Sequence, residues 1–327
     1  MIAYILRSLA QAVMVMLAVA LLAFSMFRFV GDPVANMVGQ EASVKEREEL
    51  AERLGLNKPF PIQFANYVTD MARGEFGMSY RQGRPVADLL RERAPATIEL
   101  AFLSSLFALV FGIALGVYAA INRRGILANM AMSISLIGVS LPTFLIGIGM
   151  IYLFAVELRW LPSFGRGDVV RLGWWSTGLL TESGRKSLIM PVLTLGLFQM
   201  TLIMRLVRAE MLEALRTDYV KFARARGIPE RAISFRHALR NTMIPVVTIA
   251  GLQFGSVIAF AIVTETVFQW PGLGALFVQA VQFVDIPVMA AYLMFVAFVF
   301  VVVNLSVDLI YFALDPRLRG TTAAPAR

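Results

Sequence analysis

Six uncharged, mostly apolar runs are the feature that most limits how this chain folds. Counted between successive charged residues, each has 18 to 32 residues, and they cover 8–27, 100–122, 125–156, 187–204, 241–264 and 286–307. A helix needs about 17–25 residues to cross roughly 30 Å of bilayer hydrocarbon. The runs therefore predict an all-α integral membrane protein with six transmembrane helices. Gly138 and Pro142 lie inside the longest run and predict a kinked or tilted third helix.

The composition agrees with a membrane protein and excludes several other classes. Of the 327 residues, 58 % are hydrophobic and 16 % are charged, and the mean hydropathy is +0.71, which is far from the averages of soluble domains. The chain has no cysteine and one histidine, which excludes disulfides, thiolate metal sites and sites that need two imidazoles. The net charge of +8 comes from basic residues between apolar runs, so we expect membrane lipid and no nucleic acid as a partner.

The charges between the runs predict the orientation in the membrane. With six spans and a cytoplasmic N-terminus, 15 Lys and Arg against 5 Asp and Glu, a net charge of +10, lie in the cytoplasmic pieces 1–7, 123–124, 205–240 and 313–327. On the other side, 14 Lys and Arg against 15 Asp and Glu lie in 31–96, 157–186 and 265–285. This positive-inside pattern predicts that both termini are cytoplasmic. A further uncharged run, 266–284, is rich in Pro and Gly and predicts a re-entrant or interfacial hairpin instead of a seventh span.

The segment 31–96 is predicted to be extracytoplasmic. Ser43 and Glu46 form a capping box that predicts a short solvated helix over residues 43–54. A second short amphipathic helix is predicted over residues 86–93, where it leads into the second span. The segment either has only a packing role or forms a docking surface or gate, and the sequence leaves both interpretations open.

Two G-x-x-x-G pairs lie inside predicted spans. They are Gly112 with Gly116 in the second span and Gly251 with Gly255 in the fifth. This spacing allows helices to approach closely. The pairs predict that these two helices are interior or at a subunit interface.

A basic, helix-prone segment of residues 205–245 lies between the fourth and fifth runs. It must face water, because so many charges are too costly within the bilayer. Gly227-Ile228-Pro229 divides it. Gly227 is well placed as the C′ residue after a helix that ends at Ala225, and Pro229 suits the first turn of the next helix.

The second helical piece is amphipathic. One face holds Ala232, Phe235 and Leu239, and another holds Glu230, Ser234, His237 and Asn241. Such a helix either lies on the lipid headgroups, helped by Arg231, Arg236 and Arg240, or inserts as a knob into a partner's groove.

Several stretches carry a family resemblance. DYVKFARARGIPERAISFRHALRNTMIP (218–245) resembles the cytoplasmic signature loop of permease subunits of bacterial ABC importers in the oligopeptide/dipeptide/nickel family. ETVFQWPGLG (265–274) and NLSVDLIYFALDPRLRG (304–320) are similar to that family's fifth-helix exit and C-terminal signatures. LGLNKPFPIQF, GEFGMSY and GRPVADLL resemble the first of the two permeases in such systems. The distance from Gly227 to Pro245 is longer than in the general importer loop, which fits the peptide/nickel branch.

The resemblance implies that helix 228–241 is a coupling helix that contacts a separate ATPase. The coupling residues it implies are Gly227, Ile228, Pro229, Arg231, Phe235, Arg236 and His237. The partners it implies are a second homologous permease, two ATPase subunits and an extracytoplasmic substrate-binding protein, in a bacterial inner membrane. It also implies ATP and Mg²⁺ on the ATPases and no cofactor on this chain. None of the four lysines of this chain lies in a G-x-x-x-x-G-K-[ST] motif, so the chain itself is not expected to hydrolyse ATP by the P-loop route.

Acids at the edges of spans are candidate functional residues, because they are costly if they face lipid. Glu265 closes the fifth run at the outer face, and Asp308 lies near the inner end of the sixth. In the functional interpretation, Glu265 and Trp270 line the outer gate of a translocation path, where the carboxylate attracts a cation or a peptide's ammonium group. In the structural interpretation, Glu265 fixes the turn around Trp270. Asp308 either lines the path or pairs with a cytoplasmic arginine such as Arg317.

We therefore expect four parts: a first transmembrane helix in 1–30, an extracytoplasmic segment in 31–96, a five-helix permease core in 97–320 with the coupling loop 205–242, and a flexible tail in 321–327. The expected function is that of a permease subunit of an ATP-driven, binding-protein-dependent importer of peptides or a related small solute. The alternatives are a non-transporting membrane scaffold or receptor subunit and an intramembrane enzyme. The enzyme is disfavoured because the sequence has no H-E-x-x-H motif, no G-x-S-x-G with a partner histidine and no paired aspartates within spans.

Overall fold

The structure is a computed structural model that describes residues 2–29, 45, 52 and 57–314. Its helices are α1 (Ile2–Phe29), α2 (Phe60–Arg73), α3 (Val86–Ile121), α4 (Ile126–Ser140), α5 (Thr143–Met150, followed by a π-helix over Ile151–Glu157), α6 (Glu182–Ala214), α7 (Asp218–Ala225), α8 (Glu230–Val267), α9 (Leu273–Gln282) and α10 (Ile286–Leu314). Most of the predicted helix 43–54, including the capping pair Ser43 and Glu46, and the tail 321–327 lie outside the described residues.

Five described helices are long and apolar enough to cross a membrane. These stretches are Leu6–Phe27, Val86–Ile121, Glu182–Ala214, Glu230–Val267 and Ile286–Val307. They correspond to five of the six predicted runs. The fold is therefore that of a mostly helical integral membrane protein.

The third run departs from the prediction of a single kinked or tilted helix. α4 ends at Ser140, and α5 begins at Thr143 with Pro142 as its N-cap. Proline has no backbone N–H and disfavours helical geometry at the residue before it, so Leu141 and Pro142 interrupt the helix instead of bending it. The run thus folds into two shorter apolar helices.

Two helices extend beyond the runs that predicted them. α3 has 36 residues and runs without a break from Val86, which is about 54 Å at 1.5 Å per residue. The predicted short helix 86–93 is therefore not a separate helix but the first part of the second span. α6 has 33 residues and continues to Ala214, ten residues beyond the last residue of its apolar run. The basic segment therefore begins on a helix that projects out of the apolar zone.

Both G-x-x-x-G pairs lie at close helix contacts, as predicted. A Cβ atom on Gly112 would lie 2.9 Å from Cγ2 of Ile203, and one on Gly116 would lie 2.7 Å from the carbonyl oxygen of Met204. Gly251 and Gly255 approach α10 in the same way, against Val307 and Phe300. The glycines thus bring α3 onto α6 and α8 onto α10.

The connections at the α9 end of the bundle contain two short β-strands. β1 (Val170–Leu172) pairs antiparallel with β2 (Trp175–Thr177), so this small hairpin is a departure from the predicted all-α class. The uncharged run 266–284 forms a turn and then α9, whose ten residues span about 15 Å, half of a membrane crossing. The helix in this run is thus too short to cross the membrane by itself.

Candidate functional site

The predicted break at Gly227 has the geometry of a Schellman motif. Gly227 has φ of +75°, in the left-handed region that favours glycine. Its N–H donates to the carbonyl of Arg224 at 2.9 Å, and the N–H of Ile228 donates to the carbonyl of Ala223 at 3.2 Å. These two bonds terminate α7 and satisfy carbonyls that the helix end would otherwise leave free. The prediction of Gly227 as the C′ residue is confirmed.

The segment after the break is not a separate short helix. Pro229 is the N-cap, and the chain runs without interruption from Glu230 to Val267. Residues 233–238 adopt π-helical geometry and join Glu230–Ala232 to the long α-helix that begins at Leu239. Because no helix-breaking residue stands between Pro229 and Leu239, the predicted coupling helix 228–241 is continuous with the fifth span.

The side chains that this segment buries do not follow the regular 3.6-residue period used to predict its faces. Ile233, Ser234 and Ala238 are buried, whereas Phe235 is 56 % exposed. Ala232, Phe235 and Leu239 do not form one common face, because Leu239 packs against the bundle core while Phe235 points outward; the wider π-helical turn changes which side chains point inward. Ile233 packs with Val220 and Ala223 of α7, and Ile228 and Leu215 pack against the same cluster. This seam holds α7 against the segment.

The packing leaves a basic and aromatic surface exposed. Arg231, Phe235 and Arg236 are exposed, and His237 is half-buried. On α7, Phe222 is 64 % exposed, and the guanidinium of Arg226 lies 5.7 Å from the centre of its ring. The segment carries too many charges to face lipid. Exposed aromatic rings among arginines are therefore typical here of a protein-contact surface.

An exposed ion pair connects the two sides of the Gly227 break. Nε of Arg224 lies 2.6 Å from Oε1 of Glu230, and Nη2 lies 3.2 Å from Oε2. Both side chains are exposed, so the pair contributes little free energy but favours one orientation of the two helices. Farther along, the amide of Asn241 donates to the hydroxyl of Tyr219 at 2.9 Å.

At the opposite end of α8, the side chain of Glu265 is fully buried. The hydroxyl of Thr97 donates to its Oε1 at 2.6 Å, and the N–H of Ala275 donates to its Oε2 at 2.9 Å. Thr97 also accepts the N–H of Leu273 at 2.7 Å. The carboxylate lies against Gly272, where a side chain would collide with it. The structure thus places Glu265 where it ties α3, α8 and the first turn of α9 together.

Trp270 is fully buried within the same network. Its indole N–H donates to the carbonyl of Ala96 at 3.1 Å, and its backbone N–H donates to the carbonyl of Glu265 at 2.8 Å. The guanidinium of Arg166 lies 5.9 Å from the ring centre. The site therefore joins Glu265 and Trp270, as the sequence led us to expect. Asp308 lies within α10, and its side chain is outside the described part of the structure.

Sequence analysis missed a second buried carboxylate beside this network. Glu99 accepts from Nη2 of Arg166 at 2.5 Å and from the hydroxyl of Thr177 at 2.6 Å. Arg166 also donates to the hydroxyl and carbonyl of Ser176. Glu99 is the acid that bounds the second apolar run, and a buried acid needs a charged or hydrogen-bonding partner. That boundary position was the signal available in the sequence.

Asp285 is a third buried carboxylate that the sequence analysis passed over. It accepts from the hydroxyl of Ser79 and from the N–H groups of Tyr80 and Arg81, at 3.1 and 3.4 Å for the two N–H groups. Burial of the Tyr80 hydroxyl, together with the negative charge of Asp285, raises the pKa of Tyr80 to about 12. The guanidinium of Arg81 stacks 3.2 Å from the ring centre of Phe283. Asp285 thereby fixes the segment before α3 to the start of α10.

The three buried carboxylates share a role. Each bounds an apolar run, and each bonds to a segment distant in sequence, so together they assemble the connections at this end of the bundle. Among the residues that the structure describes, no group of three or more His, Asp or Glu side chains is placed to hold a metal ion.

The sequence matches two families of membrane transport components. Residues 112–320 match the family described as "Binding-protein-dependent transport system inner membrane component", and residues 1–101 match the N-terminal family of such membrane components. These two matches cover most of the chain.

Curated relatives align along almost the whole length. A dipeptide transport system permease protein of Alkalihalophilus pseudofirmus is 36 % identical, over 98 % of this chain and 100 % of the relative. A glutathione transport system permease protein of Escherichia coli is 36 % identical, over 98 % of this chain and 99 % of the relative. A probable D,D-dipeptide transport system permease protein of Escherichia coli is 39 % identical, over 88 % of each chain.

A solved structure has the same fold. A chain of the methionine ABC transporter MetNI, in an inward-facing conformation, superposes with a TM-score of 0.54 over 69 % of this chain and 96 % of that chain, at 21 % identity. In the matched family the chain is a membrane permease component, and the ATPase is a separate subunit. The resemblance seen in the sequence motifs is thus confirmed, and the chain belongs to the family of binding-protein-dependent transport system inner membrane components.

Proposed function

We propose that this permease subunit takes up peptides or closely related small solutes and is driven by ATPase subunits that dock on residues 228–241. The exposed surface of Arg231, Phe235 and Arg236 is the observation that carries the proposal, because the seam around Ile233 buries the opposite side of the segment. A rigid cap at Gly227 lets movement of a docked ATPase pass into α8, which is helical from Glu230 to Val267.

The proposed topology has six spans, with both termini and the coupling loop 205–242 in the cytoplasm. In this topology α4 and α5 together make the third crossing, and residues 31–96 are extracytoplasmic. The support is the net charge of +10 on one set of connections against −1 on the other. Residues 97–320 then form the permease core in the bacterial inner membrane.

The proposed assembly contains a second homologous permease, two ATPase subunits and an extracytoplasmic substrate-binding protein. ATP and Mg²⁺ would bind to the ATPase subunits. The named relatives serve dipeptide, D,D-dipeptide and glutathione transport, and this supports a peptide as the transported solute. A binding protein encoded elsewhere would select among such solutes.

The end of the bundle with Glu265 and Trp270 is proposed as the outer gate. Both side chains are fully buried and hydrogen-bonded, which favours a role in holding the gate closed over direct contact with solute. Asp308 is proposed to lie beside the path near the other end of α10.

A charge reversal tests the coupling surface. Arg231→Glu with Arg236→Glu should leave membrane insertion intact, because both side chains are exposed, but should abolish co-purification of the co-expressed ATPases and uptake of a radiolabelled dipeptide. The matched control reverses Arg73 and Arg171, which are exposed at the opposite end. If the coupling variant still recruits the ATPases and transports, residues 228–241 are not the coupling element.

A further inference from the structure

A cavity of about 490 Å³ opens beside the coupling segment. It lies between the ends of α3 and α6, α7 and the start of α8. Four of its lining residues are cationic and one is acidic, namely Arg123, Arg216, Lys221, Arg224 and Glu230. So many cations around one cavity favour the binding of an anion.

Two of these cations form no ion pair within the part of the chain that the structure describes. Arg224 is paired with Glu230 at 2.6 Å, and Lys221 is paired with Asp218 at 2.8 Å. The ion pairs found among the described residues include neither Arg123 nor Arg216. Both are exposed, so their guanidinium groups are available to an incoming anion.

The position of Arg123 sets the depth of the cavity in the membrane. It lies in the turn 122–125 between α3 and α4, and both helices are apolar. Just after the turn, Ile126 is 79 % exposed and Leu127 is 66 % exposed, as expected of side chains that face lipid. A turn of four residues between two apolar membrane helices cannot reach far into water, so Arg123 lies at the level of the headgroups.

The cavity wall on the membrane side is apolar. It includes Ile121 at the end of α3 and Leu212 and Leu215 at the end of α6. The exposed residues of the coupling surface, Arg231 and Phe235, do not line the cavity. The coupling segment contributes Glu230 and Ser234 to the cavity wall, so the cavity adjoins the coupling surface but does not include Arg231 or Phe235.

We propose that this cavity binds the phosphate of an anionic phospholipid, with Arg123 and Arg216 as the cations that hold it. Basic pockets between membrane helices on the cytoplasmic side suit such headgroups. The apolar wall accommodates the first carbons of an acyl chain. A lipid held here bridges the α3–α4 turn to α6 and α7, next to the base of the coupling segment. The proposal rests on α3 and α4 lying in the membrane and not on ATPase coupling.

Native mass spectrometry of the full chain in detergent tests the proposal. The purified protein is titrated with dioleoylphosphatidylglycerol and, separately, with dioleoylphosphatidylcholine. Arg123→Gln with Arg216→Gln should raise the dissociation constant of the first phosphatidylglycerol adduct about 30-fold, because each cation near a membrane surface contributes about fivefold. Phosphatidylcholine adducts should not change.

The matched control is Arg226→Gln with Arg240→Gln, which removes the same charge from exposed positions outside the cavity. It should retain phosphatidylglycerol, and so should Arg123→Lys with Arg216→Lys. Equal loss in both glutamine variants would mean diffuse attraction by basic charge, and no loss in either would mean no site; each result overturns the proposal.

Two further results separate the lipid from other anions. If inorganic phosphate binds to the wild type as tightly as phosphatidylglycerol does, the ligand is a free anion and the lipid proposal fails. If the Arg123 and Arg216 variant keeps its lipid but loses the ATPases, the cavity is a protein contact and the proposal fails as well. Loss of lipid with ATPase recruitment intact would support the proposal and leave the coupling surface untouched.

Discussion

The guanidinium of Arg166 donates to the carboxylate of Glu99 at 2.5 Å, and both side chains are almost completely buried. The two residues are 67 positions apart. Thr177 donates a further hydrogen bond to Glu99, and Ser176 accepts from Arg166. This pair joins the β-hairpin region to α3, beside Trp270, and it is the most enclosed ion pair that the described residues contain.

Arg166→Met should destabilise the protein strongly. The change leaves the Glu99 carboxylate buried without its cation, and breaking a buried pair in this way costs about 3–5 kcal/mol. Thermal unfolding of the detergent-purified protein, followed by fluorescence-detected size-exclusion chromatography, measures the loss. Adding Glu99→Gln should recover part of it, because the orphaned charge is then gone.

Arg171→Met is the control for this experiment, since Arg171 is exposed on β1. It should unfold at the wild-type temperature. A similar, small loss in the Arg166 and Arg171 variants would show that the buried pair does not hold this end of the bundle.

Local rules were sufficient to predict the Gly227 break and the glycine contacts. A left-handed C′ glycine and a G-x-x-x-G pair depend on a few neighbouring residues, so their geometry follows from the sequence. The apolar runs likewise predicted five of the membrane-length helices, because the minimum length of a span is set by the bilayer.

The features that were missed depend on contacts across the fold. Glu99 is visible as a run boundary, but its partner Arg166 is chosen by the three-dimensional arrangement of a long connection. The face after Pro229 was assigned with a regular 3.6-residue period, and the π-helical turn at residues 233–238 broke that period. Whether Pro142 bends or interrupts a helix also depends on its surroundings.

Gly227→Ala should loosen the junction between α7 and α8. No atom lies within 4 Å of the added Cβ, so its effect comes from the backbone, whose φ is +75°. The cost is roughly 1 kcal/mol. Hydrogen exchange of a peptide covering residues 223–229 should be about fivefold faster, because the N–H groups of residues 227 and 228 close the Schellman motif.

Gly227→Asn should exchange more slowly than Gly227→Ala, since asparagine tolerates the left-handed region better. Gly149→Ala is the matched control, because the added Cβ again meets nothing within 4 Å and the residue has a helical backbone. If Gly227→Ala exchanged at the wild-type rate, the left-handed backbone at residue 227 would not need a glycine, and the prediction would be wrong.

Glu265→Gln and Thr97→Val distinguish the two interpretations of Glu265. If the carboxylate is a structural tie, both variants should lower the unfolding temperature. Thr97→Val removes the hydroxyl that donates to Glu265, and Glu265→Gln places an NH2 group against one of the two donors, the Thr97 hydroxyl or the Ala275 N–H, so each change leaves a buried polar group unpaired. We expect a loss of about 1–3 kcal/mol from each, and the double variant should lose less than the sum. A thermal unfolding series measures this.

Uptake of labelled dipeptide provides the second measurement for these variants. Unchanged stability combined with altered uptake or solute preference in Glu265→Gln alone would assign Glu265 to the path. Stability losses in both variants, with residual uptake of unaltered preference, would support the structural tie.

Single cysteines test the proposed topology and, with it, the third crossing. The chain has no native cysteine, so the background of labelling is zero. Gln82 and Ala225 are both exposed, so cysteines at these positions are accessible to a labelling reagent. Between them lie α3, the α4–α5 pair and α6.

If the α4–α5 pair crosses the membrane, three crossings separate the two positions, and an impermeant maleimide should label Gln82→Cys in intact spheroplasts but Ala225→Cys only after permeabilisation. Labelling of both from the same side would mean two crossings, so that residues 126–157 would not span and the six-span topology would be wrong.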